Sequence, residues 1–390
     1  MGTVMNTYAR FPLTLVRGRG SRVRDDNGNE YLDFISGIAV NTLGHAHPQL
    51  TAALSEQAGT MLHCSNLFHI PKQQQLAEKL TALSGLGAAF FCNSGAEANE
   101  AAIKLVRKYF HDMDSPRRTI ISATGSFHGR LLSTLTATGQ DKVKVGFDPL
   151  PPGFLHVPLN DIEALKQTVN EQTAAVLLEP LQGEGGVNIA DVAYLQAVRK
   201  LCDEFGLLLI LDEVQTGIGR CGSMFAFEQA GIVPDILTLA KGLGGGVAIG
   251  AMLATDTVSA SFGPGTHGST FGGNPLACTA ALTVLDVIES ASLLSNVQQR
   301  GEQLKQGLQD MACRFPVIRQ VRGQGLLIGA ELNVEAAPLI AAARDKGLLI
   351  LMAGPNVLRF LPPLNISADE VDEALTIVGS VLESRLEGGG

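Results

Sequence analysis

Between about Leu80 and Thr255 the chain repeats one unit, a short unbroken apolar run followed by a stretch of helical periodicity. The runs are Ala88–Cys92, Thr119–Ala123, Ala174–Leu178, Leu207–Leu211, Ile236–Leu239 and Ala248–Ala254, and none alternates with polar residues. A strand of that kind is buried on both faces. With helices between the strands, the expected architecture is α/β with a mainly parallel central sheet. The helical stretches agree. In Ala96–Phe110, Ala98, Ala102, Leu105, Val106 and Tyr109 fall on one stripe, with Glu97 and Glu100 in the first turn and Lys104, Arg107 and Lys108 towards the end. That order of charge complements the helix dipole at both termini. The stretch Val192–Phe205 repeats the pattern and stops at Gly206.

Beyond residue 288 the order changes. A long amphipathic helix over Leu293–Arg314 leads to strands Val317–Val321 and Leu326–Leu332, a helix Ala336–Lys346, and strands Leu348–Leu351 and Val357–Phe360. The last helix opens on Ser367-Ala-Asp-Glu370, a capping box. We therefore expect a large domain over residues 49–288 and a smaller α/β domain over 289–390. Residues 1–48, with a hairpin turn at Asp25-Asp-Asn-Gly28, should pack with the smaller one. The 390 residues, 45% hydrophobic and 17% charged, are enough to fill two such lobes.

A net charge of −9 and a pI near 5.4 argue against nucleic acid or an anionic membrane as the main partner. The cysteines 64, 92, 202, 221, 278 and 313 form no C-x-x-C pair, the pattern of reduced thiols in a cytoplasmic protein. Met1–Arg19 lacks the apolar stretch of a signal peptide, and the Gly388–Gly390 tail is expected to lie outside ordered structure.

Chemistry concentrates where the apolar runs end. Asp212 closes the run from Leu207, at the strand end where open α/β sheets bind ligands. Lys241 follows the run Ile236–Leu239 and is trailed by Gly242 and Gly244–Gly246. An unpaired charge there is costly, so either it turns out to solvent or its amine serves as a nucleophile. Ser94-Gly95-Ala96 lies between a strand and a helix, where Ser94 can cap and the first amides can bind an anion. Ser126-Phe127-His128-Gly129-Arg130 offers an aromatic face and a carboxylate-binding guanidinium, and Ser269 and Thr270 lie in a glycine-rich polar loop. Arg359 interrupts the apolar run Val357–Leu361, so it is paired to an acid or awaits an anion.

Other patterns are set aside. Gly217-Ile-Gly219-Arg-Cys-Gly222 matches a dinucleotide fingerprint in letters but starts several residues past the strand and precedes no convincing helix. His45 and His47 lack neighbouring metal ligands, and Asp25–Glu30 breaks the spacing of a calcium loop, so no metal is expected.

Taken together, these segments resemble the class III (subgroup II) aminotransferases of pyridoxal 5′-phosphate (PLP) fold type I. The likeness runs from Gly18 to about Asn365. It rests on Gly28-Asn-Glu-Tyr-Leu-Asp33-Phe, Gly44-His-Ala-His-Pro48, Asn93-Ser-Gly-Ala-Glu-Ala-Asn-Glu100, Phe127-His-Gly-Arg130, Leu211-Asp-Glu-Val-Gln-Thr-Gly217 and Thr266-His-Gly-Ser-Thr270. The resemblance implies that the large domain binds PLP, with Lys241 carrying it as a Schiff base and Asp212 pairing with the ring nitrogen. It further implies that Gln215 contacts the ring hydroxyl, Phe127 stacks on the ring, and Ser94, Gly95 and Ala96 bind the phosphate. Thr270 would reach the phosphate of a second subunit in a homodimer, with Ser269 beside it near the substrate.

For substrates, the resemblance implies an ω-amino donor and 2-oxoglutarate. Arg130 and Arg359 would hold carboxylates, and Glu184 would pair with Arg359 when no α-carboxylate is present. Members acting on ornithine have a tyrosine where this chain has Ile38, which points to an acylated donor, N-acetylornithine, in arginine biosynthesis. Departures from the family pattern at Leu131, Cys221 and Ala248 touch none of these roles. Other ω-amino donors (ornithine, succinylornithine, succinyldiaminopimelate, 4-aminobutyrate), a racemase on the same fold and a non-catalytic binder stay open, although a pure binder needs no Schiff-base lysine.

Overall fold

A computed structural model describes the backbone of residues 3–388; Met1, Gly2 and the tail residues Gly389 and Gly390 lie outside the described residues. The six apolar runs form adjacent strands of one seven-stranded sheet. Its order is Ala88–Cys92, Gly250–Ala254, Ile236–Leu239, Leu208–Asp212, Thr173–Leu178, Thr119–Ala123 and Phe154–Val157. Gly250–Ala254 runs antiparallel to both neighbours and the remaining pairings are parallel. The central strands Thr173–Leu178 and Leu208–Asp212 are buried along their whole length, as unbroken apolar runs require. The seventh strand, Phe154–Val157, was not expected. It lies at the sheet edge and is only partly buried, so it lacks that signature.

Helices cover the sheet. Gly95–Asp112 begins on Ser94, whose Oγ accepts from Glu97 N at 3.2 Å, and buries Ala98, Ala102, Leu105 and Val106 of the expected stripe, with Tyr109 half-buried. Val192–Phe205 ends at Gly206 in the left-handed conformation, as its sequence requires.

The N-terminal strands Leu15–Arg19, Arg22–Asp25 and Glu30–Asp33 form an antiparallel sheet to which Leu348–Leu349 adds in parallel. Ile318–Gln324, Leu327–Leu332, Val357–Phe360 and Leu351–Met352 make a separate antiparallel sheet. The single strand expected over Leu348–Leu351 is thus divided between two sheets, a change of partner that apolar residues alone do not signal. The turn at Asp25 is a hairpin turn. Its carboxylate accepts from the backbone N–H groups of Asn27 and Asn29, from Asn29 Nδ2 and from Tyr31 Oη. His45 and His47 sit in a structured turn, with His45 Nε2 at 2.7 Å from Asp33 Oδ2. Among the described residues no single helix is long and apolar enough to cross a membrane.

One close approach ties the sheet to the start of the Gly95 helix. Gly250 pairs with Cys92, and a Cβ on Gly250 would lie 2.4 Å from Ser94 O and 2.8 Å from Cys92 Sγ. Gly250→Ala is therefore expected to push the Ser94 turn away and to destabilise the protein by roughly 1–3 kcal/mol, the usual range for overpacking. Urea unfolding of the variant against the wild type measures this.

Candidate active site

The carboxyl ends of the central strands open on a cavity of about 460 Å³. Asp212 ends its strand in register with Thr238 of the neighbouring parallel strand, and Lys241 follows three residues later. Both side chains line the cavity, together with Ser94, Gly95, Ala96, Phe127, Arg130, Glu184 and Gln215. The fold thus gathers nine of the residues singled out in the sequence around one space.

Asp212 is 4% exposed and both of its carboxylate oxygens accept hydrogen bonds. Oδ1 accepts from Val214 N at 3.0 Å, and Oδ2 accepts from Asn99 Nδ2 at 2.7 Å and from His128 Nδ1 at 2.8 Å. Asn99 is itself held by Thr238, whose Oγ1 donates to Asn99 Oδ1 at 2.7 Å. That bond fixes which end of the amide faces Asp212.

No salt bridge among the described residues engages Lys241, whereas Asp212 pairs with His128 and Glu184 with Arg359. Burial pushes the Lys241 ammonium below the ordinary lysine value; the charges of Glu184 and Asp212 oppose this and Arg359 adds to it. A lysine shifted this way presents its neutral, nucleophilic amine more readily. Its backbone is left-handed, with φ of +41°, a strained conformation for a residue with a Cβ.

The amides of Gly95 and Ala96 open the helix against the loop after Asp212. A Cβ on Gly95 would lie 2.6 Å from Val214 Cγ1, so glycine here makes room for the Val214 side chain. Arg130 lies at the mouth, its Cζ 5.7 Å from the centre of the Phe127 ring.

Arg359 stands behind the cavity, 2% exposed, and is paired to an acid. Nη1 donates to Glu184 Oε1 at 2.6 Å and to Gly183 O at 2.9 Å, and Nη2 reaches Glu184 Oε2 at 3.3 Å. Gln215 Nε2 also donates to Glu184 Oε1, at 3.3 Å. Ser269 braces the wall from outside, its Oγ 3.2 Å from Asn93 Nδ2. Thr270 is exposed beside a separate depression, and Ile38, 40% exposed, lies in a left-handed turn. Neither lines the cavity of its own chain, where Val40 represents the Ile38 segment.

Sequence reasoning passed over Asn99, His128, Thr238 and Glu179. Glu179 carried the same signal as Asp212, an acid ending a buried strand. Asn99 was a polar residue on the apolar face of a helix. Among the described residues, no group of three or more His, Cys, Asp or Glu side chains is placed to hold a metal ion.

The sequence pattern of the family described as Aminotransferase class-III matches residues 3–382. The chain belongs to the class-III aminotransferases. Among relatives in the family, the acetylornithine aminotransferase of Thermosynechococcus vestitus is 56% identical over 97% of this chain and 95% of that protein. The acetylornithine aminotransferase of Methanocaldococcus jannaschii is 49% identical, over 97% and 95%. Solved aminotransferase structures superpose closely. The N-acetylornithine aminotransferase of Stenotrophomonas maltophilia K279a is 41% identical, covering 98% of both chains with a TM-score of 0.86. The ornithine aminotransferase of Toxoplasma gondii ME49 is 33% identical, covering 99% of this chain and 94% of that one with a TM-score of 0.95. The protein is an aminotransferase of the α/β architecture that this family shares.

The Arg359–Glu184 pair makes a prediction independent of substrate. Burial raises the Glu184 carboxyl, but the charge and hydrogen bonds of Arg359 outweigh it and hold the group below its ordinary value. A carboxyl group depressed in the fold stabilises above its unfolded value and loses that contribution as pH falls through the folded one. Glu184→Ala leaves Arg359 buried without its acid and should cost roughly 3–5 kcal/mol at neutral pH. The deficit should shrink as the pH is lowered below about 4.5, where the wild type loses the same pair. Urea unfolding at several pH values gives the comparison.

Proposed function

We propose that this chain is a PLP-dependent acetylornithine aminotransferase. It moves the distal amino group of N-acetylornithine to 2-oxoglutarate in arginine biosynthesis, as a cytoplasmic homodimer. The observation that carries the reading is the convergence of a lysine amine outside any salt bridge among the described residues, a buried carboxylate and an open helix N-terminus on one cavity.

The residues fit the cofactor on geometry. Gly95 and Ala96 offer amides for a phosphate, where a Cβ at position 95 would collide with Val214. Asp212 can hold a proton on a ring nitrogen, and Lys241 Nζ can bond the aldehyde carbon. Phe127 supplies a face for the ring, and Gln215 a donor near its hydroxyl. When bound there, PLP supplies the electron sink that stabilises a carbanion next to the transferred nitrogen. With PLP held there, Lys241 Nζ would be the base placed to take a proton from the donor carbon and to give it back. Ser269 and the exposed Thr270 suit contact with a second subunit's site, which is why we assign the homodimer.

The two substrates share the pocket. Arg130 holds the α-carboxylate of the donor, several bonds from the reacting amine, and later the far carboxylate of 2-oxoglutarate. Arg359 exchanges Glu184 for the α-carboxylate of 2-oxoglutarate. The apolar Ile38 suits an acylated α-nitrogen, and the names of the similar proteins support the same donor. The Toxoplasma gondii ornithine aminotransferase matches at a TM-score of 0.95, so overall shape does not separate ornithine from its acetyl derivative. Ornithine is therefore the second reading.

The test is the visible absorption of the full-length protein with PLP, before and after N-acetylornithine alone. An aldehyde-lysine band that converts to the pyridoxamine form supports the assignment. Conversion by ornithine but not by its acetyl derivative moves the donor, and no band at all overturns the function. Lys241→Ala should abolish turnover. Arg130→Ala should weaken both substrates by roughly 2–5 kcal/mol in kcat/KM; loss for one substrate alone would disprove the shared role.

A further inference from the structure

Glu179, Glu184 and Asp212 all line the cavity. Two of them are matched by several partners. Glu184 meets the guanidinium of Arg359, and Asp212 accepts three hydrogen bonds. Glu179 has no such support. It is 7% exposed, and its one hydrogen bond among the described residues is from Phe127 N to Oε2 at 2.9 Å.

Its position sharpens the contrast. The strands Thr173–Leu178 and Leu208–Asp212 run parallel with Leu178 opposite Leu211, so the next residues, Glu179 and Asp212, stand level. Two acids side by side in a buried site do not both ionise without a shared cation. The cations nearby are committed or weakened: Arg359 to Glu184, Lys241 by burial, while Arg130 lies over the Phe127 ring at the mouth. His128 already donates to Asp212.

We propose that Glu179 is an uncharged acid and a positioning residue, whose carboxyl group accepts from Phe127 N and turns its O–H to the cavity, fixing the Phe127–Arg130 loop. The proposal rests on the functional reading only in taking this cavity as the site. Burial first, and then the negative charge of Asp212, drive Glu179 in the same direction, well above the ordinary carboxylate range. With Glu179 neutral, Asp212 keeps its three donors and faces no second negative charge. The loop that carries both Phe127 and Arg130 is anchored by a bond that leaves the charge of the cavity unchanged.

Infrared difference spectroscopy of full-length wild type minus Glu179→Gln near neutral pH tests the charge directly. The expected result is a protonated-carboxyl carbonyl band that shifts in D₂O; a carboxylate band in its place overturns the proposal. Unfolding from pH 5 to 8 tests it again. The unfolded chain releases this proton above about 4.5, whereas the fold retains it, so wild type should lose stability relative to Glu179→Gln as pH rises. A difference that is flat or of opposite sign contradicts a neutral acid. In the holoenzyme, Glu179→Ala should lower kcat/KM for both substrates about 10-fold or more, with Glu179→Gln recovering most of the loss. A Gln variant as impaired as Ala would reject the positioning role. If Ala does not fold, the infrared and pH results on Gln still decide. Absence of a PLP band in wild type would defeat the functional reading and leave the infrared result standing.

Discussion

A carboxylate buried at the end of a central strand is the constraint on which this structure turns. Taking Asp212 out of water is costly unless its oxygens are matched by donors. Those donors come from three places: Val214 from the turn beyond the strand, Asn99 from the helix Gly95–Asp112, and His128 from the loop after Thr119–Ala123. A fourth element enters through Thr238, which orients Asn99. A shift in any of these elements strands a buried charge, so the cost that makes Asp212 unusual also locks helix, loop and two strands into one arrangement.

The same region stores backbone strain. Lys241 is left-handed, and the turn that follows is packed against the N-terminal segment. Thr42 Oγ1 donates to Gly242 O at 3.1 Å, and a Cβ at position 242 would lie 2.5 Å from Thr42 Oγ1. A conformation of this kind persists when its surroundings over-determine it. Here the surroundings include residues from the start of the chain, so the first fifty residues help to set the path of the backbone at Lys241.

What could be read from sequence followed from burial. Strands buried on both faces announce themselves as unbroken apolar runs, and the five inner strands of the sheet did so, as did the partly buried edge strand Ala88–Cys92, which is apolar throughout. The edge strand Phe154–Val157, whose short apolar run is broken by His156, gave no such sign, and the chain's change of sheet at Ile350 is a matter of partner choice that composition does not encode. At the site, Asp212 and Lys241 stood out because charge at the end of an apolar run is expensive. Asn99, His128 and Thr238 did not, since their meaning depends on meeting residues 113, 84 and 139 positions away. Glu179 was legible by the rule that found Asp212, whereas Glu184, five residues later, was marked only by the family resemblance.

The Arg359–Glu184 pair is unequal in a way that bears on the proposed exchange of substrates. The Arg359 side chain is 2% exposed, sits within a strand and donates to Gly183 O; the Glu184 side chain is 30% exposed, in the short loop between Leu181–Gln182 and Asn188–Ile189. The acid is therefore the partner able to leave, because water can receive its charge at lower cost. The arginine is not, since an unpaired guanidinium in that position would be a buried charge without a counterion. Departure of Glu184 is then favourable only when another carboxylate arrives. On the proposed reading, this couples opening of the pair to the α-carboxylate of 2-oxoglutarate. A donor that presents no carboxylate at that position leaves the pair closed, and the resting state of the pocket is already the one that suits it.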